Sequence, residues 1–343
     1  MFTVGPGRAA SGSSGWDRAA MTDERLTTPF ERTADRPAVP PPAWHDRDAP
    51  RRGYPVLTPT LPSLVRFRGC WAGRIEAVRS ELIGVRRGVF VTAGDAAPDP
   101  ELLAIAAVEK RLTTEYAFSH RTAARLSGLW VPPWDGSVHI TQGAKPAGQG
   151  RGDRTLVRHH VDLPDGDLRT VSGLVVTSLE LTAVDCARDL TCVQALPVVD
   201  SALLVGADKD VMQARLAGSV GGRGVRAARE TVDLATGRIG SPAESRVRAR
   251  VVMDGLPRPQ TLIRVATPDG PLEVDLGWEE VKVGIEVHGR GKYSSGADPF
   301  DEAVRRERLF DVGWAILDVR TDQRSADYLA RTRTALRRRG GLA

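Results

Sequence analysis

Two short apolar runs, residues 272–278 (LEVDLGW) and 281–287 (VKVGIEV), most constrain how this chain can fold. Apolar runs of this length are typical of strands, and the tight turn between them favours an antiparallel pair. In such a pair Asp275 and Glu286 face each other, with Cβ atoms roughly 5 Å apart. Two carboxylates that close repel each other unless they share a proton or a cation. Because hard divalent cations prefer oxygen ligands, the pair predicts a metal site.

The residues around these runs predict a mixed sheet flanked by helices. Residues 241–244 (SPAE) combine a capping box with proline at the first helical position, so a helix begins there. A helix that carries Glu302 and Arg305 follows the two runs, then a strand at 313–319 and a closing helix rich in arginine. The order is helix, three strands, helix, strand, helix. This order predicts an α/β (α+β) fold.

This region, residues 241–343, resembles the PD-(D/E)xK nuclease superfamily, and more closely its bacterial family related to very-short-patch-repair endonucleases. The resemblance is carried by five short motifs, in this order: Ser241-Pro242-x-Glu244-Ser245-Arg246; Val274-Asp275-Leu276; Ile285-Glu286-Val287-x-Gly289; Glu302-x-x-Arg305-x-x-x-Leu309; and Gly313-Trp314-x-Ile316-Leu317. It implies a restriction-endonuclease-like sheet and a metal-dependent hydrolysis of phosphodiester bonds in DNA. By resemblance, Glu244, Asp275 and Glu286 bind Mg²⁺ or Mn²⁺.

The chain departs from the family at one catalytic position. The superfamily has lysine two residues after the second acid, and the close family usually has aspartate; this chain has His288. A neutral imidazole can orient or deprotonate water, and Lys292 can supply positive charge. Equally, the site can be degenerate. Glu244 also has two interpretations, a metal ligand or a capping residue, and a salt bridge is the alternative for Asp275 and Glu286.

Composition is compatible with a DNA-binding protein. The chain has 343 residues, of which 48 are Lys or Arg and 43 are Asp or Glu, for a net charge of +5. Arginine suits bidentate phosphate contacts, although a GC-rich genome alone also raises the arginine content. The three cysteines, Cys70, Cys186 and Cys192, have no metal-ligand spacing, which predicts a reducing, cytoplasmic location. No apolar run approaches the length of a membrane span.

The first part of the chain divides into a tail and a basic element. Residues 1–55 are rich in Pro, Gly and Arg, lack apolar periodicity and are predicted to be disordered. Residues 60–95 show helical spacing from Val65 to Ile83 followed by a strand at 88–91, which is typical of a winged helix. Phosphate contacts would then come from Arg66, Arg68, Arg86 and Arg87, together with Lys292 and Arg305 of the C-terminal region. The alternative is a small helical element with a solvated arginine face.

Three motifs occur in the N-terminal half of the chain: Arg86-Arg87-Gly88-Val89-Phe90, Ser119-His120-x-x-Ala123-Ala124-x-Leu126 and His139-Ile140-Thr141. With these motifs the half, roughly residues 60–205, resembles AbiEi-type antitoxins. Those proteins pair a winged-helix DNA reader with a second small domain and repress their own operon. The resemblance implies an α+β domain at 96–205, DNA as a partner and a possible cognate toxin. Residues 206–240 are predicted to form a helical linker to the domain at 241–343.

Other polar residues are interpreted as structural. His120 begins a helix, and His139, His159 and His160 alternate with apolar residues on strands without a carboxylate or cysteine at ligand spacing. Asp185 and Asp200 lie on helices as solvated residues or local ion-pair partners. Arg305 can contact phosphate or pair with Glu302, and the pair is preferred. The sequence therefore predicts a DNA-binding, metal-dependent endonuclease, with an antitoxin-like regulator whose nuclease fold is inactive as the alternative. It predicts neither DNA specificity nor oligomeric state.

Overall fold

The computed structural model describes residues 65–66, 82–86, 89–92, 99–143, 155–219, 221–289 and 299–342, with side chains described from residue 99 onward except those of Pro299 and Asp301. All of them belong to one compact unit, Val39–Ala343. The predicted disordered segment 1–55 lies outside these residues. The predicted α+β class is confirmed, because mixed sheets are flanked by helices.

The first described elements are strands. β1 is Val65–Arg66, β2 is Leu82–Arg86 and β3 is Val89–Thr92. They form an antiparallel sheet in the order β1-β3-β2, with an irregularity between Gly84 and Arg86. The strand predicted at 88–91 is confirmed. The helix predicted from Val65 to Ile83 is wrong at both ends, because Val65 lies on β1 and Leu82 and Ile83 lie on β2. Residues 67–81 lie outside the described part of the chain.

The middle region is built on a five-stranded mixed sheet. Its elements are α1 (Pro100–Arg111), β4 (Ala117–Phe118), α2 (His120–Leu126), β5 (Val138–Gln142), β6 (Leu156–His160), β7 (Leu168–Val171) and β8 (Leu174–Thr177). The strand order is β6-β5-β4-β8-β7. β5 and β6 run parallel, as do β4 and β8, and the other two neighbours are antiparallel. Side chains of β5 are therefore buried along its whole length.

Four helices follow this sheet and share one core. They are α3 (Leu179–Asp189), α4 (Cys192–Leu204), α5 (Lys209–Gly218) and α6 (Val225–Leu234). Their inward faces bury alanine, valine and leucine side chains at helical spacing, and Ala249 of the next helix joins the same cluster. Residues 206–240, which were predicted to form a helical linker, thus contribute to a core that they share with the neighbouring helices. This core attaches the C-terminal region to the middle region.

The C-terminal region has the predicted element order. α7 (Pro242–Met253) precedes the strands β9 (Gln260–Val265), β10 (Leu272–Trp278) and β11 (Val283–His288); α8 (Pro299–Asp311), β12 (Ala315–Arg320) and α9 (Ser325–Arg338) follow. The sheet order is β12-β11-β10-β9, with β12 parallel to β11 and the other neighbours antiparallel. A parallel pair needs a crossover, which α8 provides. Among the described residues, every helix is too short or too polar to cross a membrane.

Candidate functional site in the C-terminal sheet

Glu244 lies in the first turn of α7 and is almost fully buried, with 7% exposure. Its carboxylate accepts hydrogen bonds from the Gly240 N–H (2.9 Å) and the Ser241 hydroxyl (2.8 Å), and the Ser241 oxygen accepts from the Glu244 N–H (3.2 Å). The predicted cap is therefore present, but the glutamate bonds Gly240 rather than the Ser241 backbone. These bonds satisfy N–H groups that a helix start leaves without partners.

Asp275 and Glu286 lie at the point where the β10–β11 ladder ends. The last backbone pair at this end is Leu276 with Ile285, so the two acids are the next opposed positions. The Asp275 carboxylate accepts a hydrogen bond from the Val287 N–H at 2.8 Å. Asp275 is 5% exposed and Glu286 is 1% exposed. The side chain of Asp275 thus replaces a backbone carbonyl as the acceptor where the strands separate.

Arg305 of α8 is the partner of Glu286. Its Nη2 lies 3.0 Å from Glu286 Oε1, and the same nitrogen donates to the backbone carbonyl of Glu273. The prediction that Arg305 pairs with Glu302 is therefore wrong, because α8 directs Arg305 toward the sheet. A buried carboxylate needs such a partner, and removing either member of a buried pair costs about 3–5 kcal/mol.

The three predicted metal ligands influence one another electrostatically. The pKa of Glu244 is raised to about 7, first by burial and then by the negative charge of Asp275, with a further contribution from Glu286; the bonds from Ser241 and Gly240 act in the opposite direction. Asp275 and Glu286 therefore lie near enough to Glu244 for their charges to act on it. Their role in metal binding stays a prediction.

His288 faces a different set of groups. Its Nε2 lies 2.8 Å from Asp318 Oδ1 on the neighbouring strand β12, and Arg306 contacts the other Asp318 oxygen at 2.6 Å. The hydrogen bond with His288 is the main cause that lowers the pKa of Asp318. With Glu302, these groups line a pocket of about 570 Å³ that also contains Arg320 and Arg331. Sequence reasoning missed Asp318, although it interrupts the apolar run AILDV in the same way as Glu286.

Two groups of described residues have ligand atoms that all lie within 4.8 Å of one another. One is His288, Glu302 and Asp318; the other is His120, His139 and His159 of the middle region. Glu244, Asp275 and Glu286 do not form such a group. The Glu244 carboxylate bonds the Gly240 N–H at its helix cap, and the Glu286 carboxylate bonds Arg305. The histidines interpreted as structural therefore meet at one point, which their separate positions in the sequence did not indicate.

The predicted DNA contacts fall mostly outside the described side chains. Arg68, Arg87 and Lys292 lie outside the described residues, and for Arg66 and Arg86 only the strand position is described. Arg305 is described, and its guanidinium contacts Glu286 and the Glu273 carbonyl. These contacts turn Arg305 inward, and its side chain is 15% exposed.

Comparison with known proteins finds a family similarity for the middle region. Curated relatives include the uncharacterized proteins MT2308 (strain CDC 1551) and Rv2248 (strain H37Rv) of Mycobacterium tuberculosis, each 30% identical over 157 residues. The match covers 45% of this chain, and the chain spans 58% of the length of each relative. Among solved structures, the RV2827C protein of M. tuberculosis is 16% identical, with 57% of this chain and 77% of that chain covered, at a TM-score of 0.34. Residues 106–235, from α1 to the end of α6, match the family model of the AbiEi antitoxin C-terminal domain.

Proposed function

We propose that this protein is an antitoxin-like transcriptional regulator that binds DNA upstream of its own gene and recognises a cognate toxin. The observation that carries this proposal is the match of residues 106–235 to the AbiEi antitoxin C-terminal domain. The nuclease-like C-terminal sheet then serves as a binding surface or a scaffold.

The segment before the matched region supports the DNA-binding part of the proposal. β2 and β3 pair antiparallel. In the sequence Arg86 is the last residue of β2 and Arg87 follows it directly. Arginines at the end of a strand are suited to phosphate contacts with DNA. The net charge of +5 gives long-range attraction to DNA.

The partners of the three acids support a regulator that does not cut. Glu244 is bonded to Gly240 and Ser241, Asp275 to Val287 and Glu286 to Arg305. A divalent cation at this place would compete with the Arg305 guanidinium for Glu286. Since a buried charge pair resists the loss of one member, the resting arrangement favours the protein-paired state over the metal-bound state.

A gel shift with the duplex from upstream of the gene tests the regulator. We expect a specific complex in EDTA and a loss of affinity of at least tenfold in the double variant Arg86→Ala/Arg87→Ala. The slope of log K against log salt should fall by about 2 in magnitude, since each arginine–phosphate contact contributes roughly one counterion. Arg226→Ala is the matched control, because that arginine is 94% exposed on α6. Equal binding to an unrelated duplex would contradict the proposal.

A second candidate, a metal-dependent endonuclease, is supported by the raised pKa of Glu244. Asp275 and Glu286 cause part of this rise, and a divalent cation would relieve the repulsion among the three acids. Bound Mg²⁺ or Mn²⁺ would lower the pKa of a water molecule and stabilise charge on the phosphate. In this candidate His288 would orient that water, which requires it to leave Asp318, 2.8 Å from its Nε2. Arginines would hold the duplex by its phosphates.

Plasmid cleavage tests this second candidate. Wild type should nick or linearise plasmid DNA in Mg²⁺ or Mn²⁺, and Glu286→Gln should abolish cleavage. Glu280→Ala is the control, because Glu280 is an exposed acid in the turn that precedes β11. If wild type and Glu286→Gln cleave equally, a contaminating nuclease is the source and the endonuclease candidate is rejected.

A further inference from the structure

Three histidines from three elements of the middle region lie together. His120 is the first residue of α2, His139 lies on β5 and His159 lies on β6, the parallel neighbour of β5. His139 Nδ1 is 3.1 Å from His159 Nε2, and one ring nitrogen of each of the three lies within 4.8 Å of the others. In a tetrahedral zinc site with bonds of about 2.0–2.1 Å, ligand nitrogens are about 3.3–3.4 Å apart. The spacing of His139 and His159 is close to that value.

The far side of the His120 ring is held as in many metal sites. Its Nδ1 lies 3.1 Å from the Ser119 hydroxyl and 3.6 Å from Oδ2 of Asp185 on α3. A carboxylate behind a histidine fixes the ring tautomer and raises the basicity of the opposite nitrogen. Ser119 occupies the N-cap position, but its hydroxyl makes no capping bond to a backbone N–H of the helix. The hydroxyl and the carboxylate therefore leave His120 Nε2 available as a ligand.

His139 can also present a nitrogen to a cation. Its Nε2 lies 3.2 Å from Arg121 Nη2 and 3.0 Å from the Ser137 hydroxyl. Arginine only donates, so Nε2 accepts and the ring proton is on Nδ1, where it bonds His159. A cation at Nδ1 requires that this proton move to Nε2, where the Ser137 oxygen can accept it. Arg121 retains its ion pair with Asp135 at 2.7 Å.

Backbone strain also favours a functional role for His120. The residue has a φ of +51°, which costs a non-glycine residue about 1–3 kcal/mol. Such strain is typically retained where a side chain must be aimed at a site.

We propose that His120, His139 and His159 bind a divalent transition-metal ion, with Asp185 orienting His120. An all-imidazole set favours Zn²⁺, Co²⁺, Ni²⁺ or Cu²⁺ over Mg²⁺, which separates this site from the acids of the C-terminal sheet. The His120 and His159 rings are stacked with centroids 3.6 Å apart. Rotation of the His159 ring about its Cβ–Cγ bond would therefore accompany ion binding, while Ser119 and Asp185 keep His120 in place. Three protein ligands leave a fourth position open.

Cobalt spectroscopy of the full-length, chelator-treated protein tests the site. We expect one equivalent of Co²⁺ to give a visible absorption typical of four-coordinate cobalt, and Zn²⁺ to displace it. His159→Gln and His120→Asn should weaken uptake at least about 100-fold; asparagine is chosen because it tolerates a positive φ. Asp185→Asn should weaken it about 10- to 100-fold, the usual effect of removing a carboxylate behind a ligand.

Two matched variants separate this site from other histidines. His160→Gln removes the exposed neighbour of His159, and His288→Gln removes the histidine of the C-terminal pocket. Both should bind Co²⁺ as wild type does, and Zn²⁺ should raise the melting temperature of wild type but not of His159→Gln. Absence of Co²⁺ uptake by wild type, or equal uptake by His159→Gln, would overturn the proposal. Neither result depends on whether the protein binds DNA.

Discussion

At the scale of single residues, the main feature of this protein is a set of acidic side chains buried in its interior. Glu244, Asp275 and Glu286 are all less than one-tenth exposed, and so is Asp200. The sequence indicated Asp275 and Glu286 because each interrupts an apolar strand. It could not indicate which partner neutralises each one, since Arg305 and Val287 approach through the fold rather than along the chain.

Glu244 makes stability depend on pH in a defined direction. Its pKa is about 7 in the folded protein and 4.5 without burial, so the folded state holds the proton more tightly. The contribution to stability is therefore complete below pH 4.5 and is lost as the pH rises through 7. Glu244→Gln, which stays neutral, should gain up to about 3 kcal/mol over wild type across this window. Urea unfolding at pH 4.5 and pH 7.5 measures the difference.

A divalent cation changes this expectation if the acids bind it. With Mg²⁺ present, a metal-binding site would stabilise the ionised Glu244 and reduce the advantage of the glutamine variant. The regulator account expects no effect of Mg²⁺ on the difference between wild type and Glu244→Gln. An advantage that does not change with pH would show that Glu244 does not titrate in this range.

At the scale of elements, local signals predicted caps and strands well. The helix start at Ser241 is confirmed, with its side chain bonded to a backbone N–H. The β10–β11 register is confirmed because apolar alternation allows few alternatives. The strand at 88–91 was predicted, but β1 and β2 were missed, since helical spacing and a strand are hard to separate over short apolar runs. The cluster of three histidines was missed because its members come from separate elements. The parallel pairing of β5 and β6 brings His139 and His159 together, and His120 comes from the start of α2.

Close packing in the C-terminal sheet leaves no room for a side chain at Gly284. A Cβ at Gly284 of β11 would lie 2.7 Å from Ile316 Cδ1 and 2.7 Å from Val274 Cγ1. Gly284→Ala should therefore destabilise the protein by about 1–3 kcal/mol through overpacking. Gly218→Ala is the control, because a Cβ at the end of α5 meets nothing within 4 Å. It should be neutral or stabilise by up to about 1 kcal/mol, as chemical denaturation can show.

At the scale of the whole molecule, a buried network connects the antitoxin-like region to the C-terminal region. Asp200 of α4 contacts Arg248 (3.1 Å) and the hydroxyl of Ser245 (2.7 Å), both on α7, and accepts from the Thr236 N–H (2.7 Å). Arg248 also donates to the Leu234 carbonyl. The interpretation of Asp200 as a solvated helix residue is therefore wrong: the packing of α4 against α7 excludes water from it. Because α4 belongs to the middle region and α7 to the C-terminal region, these bonds join the two regions.

Breaking this network should destabilise the protein as a unit. Asp200→Ala leaves the Arg248 guanidinium buried without its carboxylate and should cost about 3–5 kcal/mol in the free energy of unfolding. Asp233→Ala is the matched control: its ion pair with Arg258 is exposed, so it should cost less than about 1 kcal/mol. Equal effects of the two substitutions would contradict the coupling. The double variant Asp200→Leu/Arg248→Met should recover much of the loss.

The central claim is that the chain binds its operator as a regulator and does not need a metal to do so. Fluorescence anisotropy with the labelled upstream duplex, measured in EDTA and again in Mg²⁺, tests it directly when the DNA is recovered and sized afterward. The account predicts the same specific affinity in both buffers and intact DNA. Binding that requires Mg²⁺, together with DNA cleavage that Glu286→Gln abolishes, would contradict it and establish the endonuclease instead.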